Sequence, residues 1–127
     1  MVAHFHIPLN LPHAGTIAQR IQTLVSRETK DNEQLQEMQK ISDKLMLLLL
    51  PYKRYGENPP PQQAQKVREE AAQLARNLVD EIECSDCGAD RLGQCIRNLF
   101  ECLELGEEGA IISLRAGENP DSAQRPI

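Results

Sequence analysis

The chain has 127 residues, of which 40% are hydrophobic and 26% charged, a composition typical of one globular domain and unlike that of a disordered chain. Only 3% of the residues are aromatic and there is no tryptophan, so an aliphatic core is expected, which favours helix packing over a broad sheet. The net charge is −5, and residues 80–108 carry nine acidic residues and two arginines. Because this segment would repel a phosphate backbone, we do not expect nucleic acid as a partner.

No targeting or membrane segment is predicted. The N-terminal residues lack a basic region followed by an apolar stretch. The longest apolar run, Leu45 to Leu50, has six residues, whereas a helix that spans a bilayer needs about 20. We therefore expect a cytoplasmic protein with reduced thiols and without a membrane partner.

The first half of the chain predicts a short strand followed by a long helix. Apolar and polar residues alternate over residues 2–7, as in a half-buried strand. Apolar residues then recur every three or four positions over residues 14–50, with Thr16 as the N-cap, which indicates a helix. Polar residues at 28, 31 and 32 interrupt this stripe, so two helices are the alternative. We favour one long helix because the gap contains no glycine or proline.

The second half predicts two more helices and a second strand. Pro51 is expected to end the first helix, and residues 51–61 form a proline-rich connector. Helices are predicted over residues 62–83 and 90–105, with Gly106 ending the second. Residues 110–115 resemble a strand and are expected to pair with residues 2–7, because lone strands are unstable.

The predicted fold is therefore mainly α. It is a three-helix antiparallel bundle with a long first helix, a proline-rich connector and a small terminal two-stranded β pairing. Residues 1–115 form a single helical domain. Residues 116–127 are polar, contain two prolines and are predicted to be a disordered tail.

Four cysteines are the most specific chemical feature of the sequence. Cys84 and Cys87 have the spacing of a zinc knuckle. Cys95 and Cys102 cannot both bind the same ion on one helix, because about 10.5 Å of axial rise would separate them. The metal hypothesis is thus a zinc site of Cys84, Cys87 and Cys95. Its fourth ligand would be His4, His6 or His13. The alternative is that Cys95 and Cys102 are core residues and that no cofactor is bound.

The end of the first predicted helix carries more apolar residues than one buried stripe can use. Met46, Leu47 and Leu50 point to other faces of the helix than the stripe does. They are either covered by the rest of the chain or form a surface that binds a partner.

The sequence contains no phosphate-binding loop and no catalytic motif of a hydrolase or metalloprotease, so the protein is not expected to be an enzyme. The leading hypothesis is a non-enzymatic interaction module, such as an adaptor, regulator or small chaperone. It would bind another protein, or itself, through the aliphatic face at Met46, Leu47 and Leu50. The alternative hypothesis is a small zinc-binding module centred on Cys84 and Cys87.

Overall fold

The computed structural model describes residues 8–29, 35–85 and 90–115. Within these ranges the chain forms five helices: α1 (Leu11–Thr29), α2 (Gln36–Tyr55), α3 (Pro61–Ser85), α4 (Asp90–Cys102) and α5 (Gly106–Arg115). All five contribute to one core, in which Phe100 is the largest of the fully buried side chains.

The mainly α prediction is confirmed, but the predicted three-helix bundle with a β pairing is wrong. The described part of the chain contains five helices and no strand. Residues 110–115 belong to α5, whereas residues 2–7 and the predicted tail at 116–127 lie outside the described residues.

The long helix predicted over residues 14–50 is instead an antiparallel pair, α1 and α2. The side-chain amide of Gln22 donates a hydrogen bond to the carboxylate of Asp43 at 3.2 Å, and the backbone of Gly15 lies against the Leu49 carbonyl. The break falls at the polar gap in the apolar stripe. Folding back there lets the two halves of the stripe bury each other, whereas one continuous helix would leave both exposed.

Helix α2 does not end at Pro51 but continues one more turn to Tyr55. Gly56 follows with φ of 74°, and its N–H donates to the Tyr52 carbonyl at 2.9 Å, which completes a left-handed C-cap. Proline is tolerated within the helix here because its side chain is exposed, although it cannot donate to the Leu47 carbonyl one turn earlier.

Helix α1 begins at Leu11, five residues before the predicted N-cap at Thr16. The side-chain oxygen of Asn10 accepts a hydrogen bond from the His13 N–H at 3.0 Å, so Asn10 is the capping residue. Asn58 of the connector supports the same end. Its Oδ1 accepts from the Leu11 N–H and its Nδ2 donates to the Leu9 carbonyl, both at 2.8 Å.

Helices α3 and α4 follow the prediction closely. Helix α3 extends the predicted residues 62–83 by one residue at its start and two at its end. Its predicted stripe is buried except for half-buried Leu74. Helix α4 ends at Cys102, earlier than predicted, because Glu104 adopts a left-handed φ of 63°. Arg68 of α3 donates to the Leu103 carbonyl at 2.8 Å and so satisfies a free acceptor at this helix end.

Gly106 begins α5 rather than ending the previous helix, and α5 replaces the predicted second strand. Glu107 and Glu108 lie in its first turn, where negative charge interacts favourably with the positive end of the helix macrodipole and stabilises the helix. Gly109 lets α5 approach α4 closely, since an added Cβ would lie 2.6 Å from the Phe100 Cβ. This packing buries Ile112 and outweighs the β propensity of the isoleucines.

Candidate interaction surface

The three residues predicted to bind a partner lie on α2 with different exposures. The Leu47 side chain is 68% exposed, one of three exposed large hydrophobic residues in the described part of the chain, with Tyr55 and Ile111. Met46 and Leu50 are half-buried. The apolar surplus inferred from the sequence is therefore concentrated at Leu47.

Leu47 is the centre of a row of exposed residues along α2, which we call the outer stripe. The row is spaced alternately by four and three positions, so its members share one face of the helix. The opposite face of α2 is buried in the core through Met38, Leu45 and Leu49. The outer stripe consists of Lys40, Lys44, Leu47, Pro51 and Arg54.

The outer stripe is basic. It contains two lysines and an arginine. Exposed Glu37, three residues before Lys40, continues the same row at the start of the helix. Its carboxylate lies 3.5 Å from the Lys40 ammonium, and this pair is weak because both side chains are well exposed. The carboxylate of Asp43 faces α1 instead, since Gln22 and Gln39 both donate to it. A partner therefore meets a leucine flanked by positive charge.

Pro51 interrupts the backbone hydrogen bonds of α2 within the stripe, because it has no N–H to donate to the Leu47 carbonyl four residues earlier. The stripe therefore offers a partner an apolar contact flanked by positive charge.

A second surface, of opposite charge, is formed by α3 and α5. Arg76 of α3 binds the Glu108 carboxylate of α5 through two hydrogen bonds, the longer at 2.8 Å, and this pair places the two helices side by side. Asp80 and Glu83 lie one and two turns after Arg76 on the same side of α3 and are exposed.

On α5, Ile111 is 64% exposed and lies one turn after exposed Glu107. We call Asp80, Glu83, Glu107 and Ile111 the acidic surface. Its charge reflects the acidic excess of residues 80–108 in the sequence.

Ile111 was missed as a surface residue because a strand was predicted there. Of the basic members of the outer stripe, Arg54 was missed because the helix was expected to end at Pro51. Lys40 and Lys44 precede Pro51, and applying the helical spacing to both sides of Leu47 would have found all three.

Two of the cysteines are core residues. Cys95 and Cys102 of α4 are free and buried. Burial raises the pKa of Cys95, partly opposed by the positive charge of Arg20. Burial, with a smaller effect of the Glu101 carboxylate, raises the pKa of Cys102 to about 11. Both side chains are therefore neutral thiols at physiological pH, which disfavours them as nucleophiles.

The zinc hypothesis stays a prediction. No group of three potential ligands that could hold a metal ion occurs in the described ranges. However, Cys87, the side chain of Cys84, and both His4 and His6 lie outside them, while His13 is exposed on α1. Metal analysis of protein purified without chelators tests the hypothesis, because a structural zinc site binds tightly enough to survive purification.

Comparisons with known proteins give no family from which to infer a function. No protein-family model, no curated protein and no solved structure matches the chain. Of the helices in residues 8–29, 35–85 and 90–115, none has the length and apolar character needed to cross a membrane.

Proposed function

We propose that this chain is a non-enzymatic interaction protein that binds a protein partner through the outer stripe of α2. The observation that carries the proposal is the exposure of Leu47, at 68%, in the middle of a helix whose opposite face lies in the core. A single exposed leucine is common on protein surfaces. Here it adjoins Pro51 and half-buried Leu50, so the apolar surface is continuous along the helix.

Binding a partner would remove this apolar surface from water. Full burial of a leucine side chain contributes about 1.5–3 kcal/mol, enough for one residue to be the centre of a small interface. Lys40, Lys44 and Arg54 surround that centre. Charged residues at the rim of an interface speed association and select partners of opposite charge more than they add affinity. These features support a docking face and give no support to a catalytic function.

Photocrosslinking at the outer stripe tests the proposal. A benzophenone amino acid replaces Leu47 in one variant and Thr23, an exposed residue of α1 outside both charged surfaces, in a matched control. We expect crosslinked protein products from position 47 in cells and at most background from position 23. Equal crosslinking from both positions would contradict the proposal, because the stripe would then be ordinary surface. The masses of the products distinguish a second copy of this chain from a different protein.

A further inference from the structure

We infer that the partner of the outer stripe is a second copy of this chain, bound through its acidic surface on α3 and α5. This inference rests on the proposed function and names the occupant of the same site. Each copy would use its basic stripe to bind the other copy's acidic surface.

Charge complementarity between the two surfaces carries the inference. The outer stripe has three basic side chains around Leu47, and the acidic surface has three carboxylates and Ile111. Two of the three large hydrophobic residues that the described ranges expose thus lie on surfaces of opposite charge. Bringing the surfaces together buries both apolar residues and places the carboxylates beside the ammonium and guanidinium groups.

The other symmetric arrangement is disfavoured. Two outer stripes facing each other would place Lys40, Lys44 and Arg54 of one copy against the same residues of the next. Like charges in contact oppose association, and the one carboxylate at the end of this row, Glu37, does not balance the three cations. A contact between unlike surfaces avoids this repulsion. Because each chain carries both surfaces, the outer stripe of each copy can bind the acidic surface of the other.

Charge exchange between two variants provides the test. Variant A carries Lys40→Glu and Lys44→Glu, which makes the stripe acidic. Variant B carries Glu83→Lys and Glu107→Lys, which makes the other surface basic. Within either variant, the stripe and the opposing surface carry charge of the same sign. In an equimolar mixture, the stripe of A meets the changed surface of B, and the stripe of B meets the unchanged surface of A.

Sedimentation velocity at low salt measures association. We expect the wild type to associate, and each variant alone to have a dissociation constant at least about tenfold higher. The mixture of A and B is expected to associate again. Association of the wild type should weaken as salt rises, because the contacts are exposed and screened. A control with Arg20→Glu and Lys66→Glu has the same net charge as variant A, lies outside both surfaces and should associate like the wild type. Circular dichroism confirms that each variant folds.

Several results would overturn the inference. A wild type that remains a monomer at about 1 mM would do so, because the contact between the two surfaces would then contribute almost no affinity. So would a mixture of A and B that stays monomeric while the wild type associates. Binding of the wild type to vesicles containing phosphatidylserine, lost in variant A, would assign the stripe to a membrane surface. Crosslinks from position 47 to a different protein only would reject self-association and leave the proposed function standing.

Discussion

Replacing Gly15 with alanine tests the close packing of α1 against α2. An added Cβ would lie 2.7 Å from the Leu49 carbonyl oxygen and 2.9 Å from the Cβ of Lys53. Ordinary contacts of a Cβ begin at 3.4 Å, and neither neighbour is the far end of a flexible side chain. The two helices therefore have to separate by roughly 0.5 Å, which weakens dispersion contacts along their whole interface.

Two effects of opposite sign decide the magnitude. Alanine favours a helix interior over glycine by about 1 kcal/mol. Overpacking a well-packed core costs about 1–3 kcal/mol, and a clash with backbone belongs in the upper part of that range. We expect Gly15→Ala to lower the free energy of unfolding by about 1–2 kcal/mol. For a domain of this size, that corresponds to a fall in Tm of about 3–8 °C.

Urea unfolding followed by circular dichroism measures the effect, with Gly106→Ala as the matched control. A Cβ at Gly106 would have its nearest neighbour, the Glu101 Cγ, at 3.7 Å, an ordinary contact. The control should therefore be close to neutral. If Gly15→Ala proves as stable as the control or more stable, the close approach of α1 and α2 is not what selects glycine at this position.

Three further predictions concern single polar or thiol groups. Asn58→Ala removes both hydrogen bonds at the start of α1 and should cost about 1–2 kcal/mol in urea unfolding, while the exposed control Asn77→Ala should cost less than about 0.5 kcal/mol. Equal losses would show that Asn58 does not hold this end. The hydrogen bond from Arg76 lowers the pKa of Glu108, so the pair stabilises the fold above the carboxyl's unfolded pKa and this contribution is lost as pH falls through the folded pKa. The advantage of wild type over Glu108→Gln, at most about 1 kcal/mol because both side chains are partly exposed, should vanish in acid, and a difference constant from neutral to acid pH would argue against the ion pair. The raised pKa of Cys102 stabilises the fold fully below the unfolded value of 9.0, and this contribution is lost as pH rises toward about 11. Wild type and Cys102→Ala should therefore converge in stability over that range, and a gap that widens instead would contradict burial of the thiol.

The sequence predicts α3 and α4 well because their signals are local and consistent. In both helices the apolar residues recur at helical spacing, and the residues so identified, from Val67 to Ile82 and from Leu92 to Leu103, are buried except for half-buried Leu74. The connector before α3 is also recognisable, since three consecutive prolines cannot continue α2. Local propensity and tertiary packing favour the same structure in this part of the chain.

The errors occur where tertiary contacts outweigh local preference. Whether residues 14–50 form one long helix or a helical hairpin depends on how closely α1 and α2 can pack. Gly15 allows the close packing, but its role is visible only when the two helices are already paired. Residues 110–115 favour a strand in isolation, but Gly109 against Phe100 and Glu108 against Arg76 stabilise a helix. These contacts join distant parts of the chain, so no local pattern reveals them.

The candidate surface was only half predictable. Leu47 could be identified from the excess of apolar residues at the end of the first helix. Lys40 and Lys44 could be identified from the same helical spacing, whereas Arg54 could not, because the helix was expected to stop at Pro51. The opposing acidic surface depends on α5 lying beside α3, which the Arg76–Glu108 pair establishes only in the folded structure.

The connector between α2 and α3 divides the chain into two pieces, and contacts between their helices hold these pieces together independently of the connector. The first piece, through Pro60, keeps Asn58 with the helix start that it holds. Each piece then offers the other a complementary apolar face, since α2 packs on α3 and α1 packs on α4. The Asn10 N–H also donates to the Cys102 carbonyl at 2.9 Å across the divide. Two separately expressed halves, cut between Pro60 and Pro61, should accordingly find each other and reconstitute the fold, which makes this bond the natural place to split the protein.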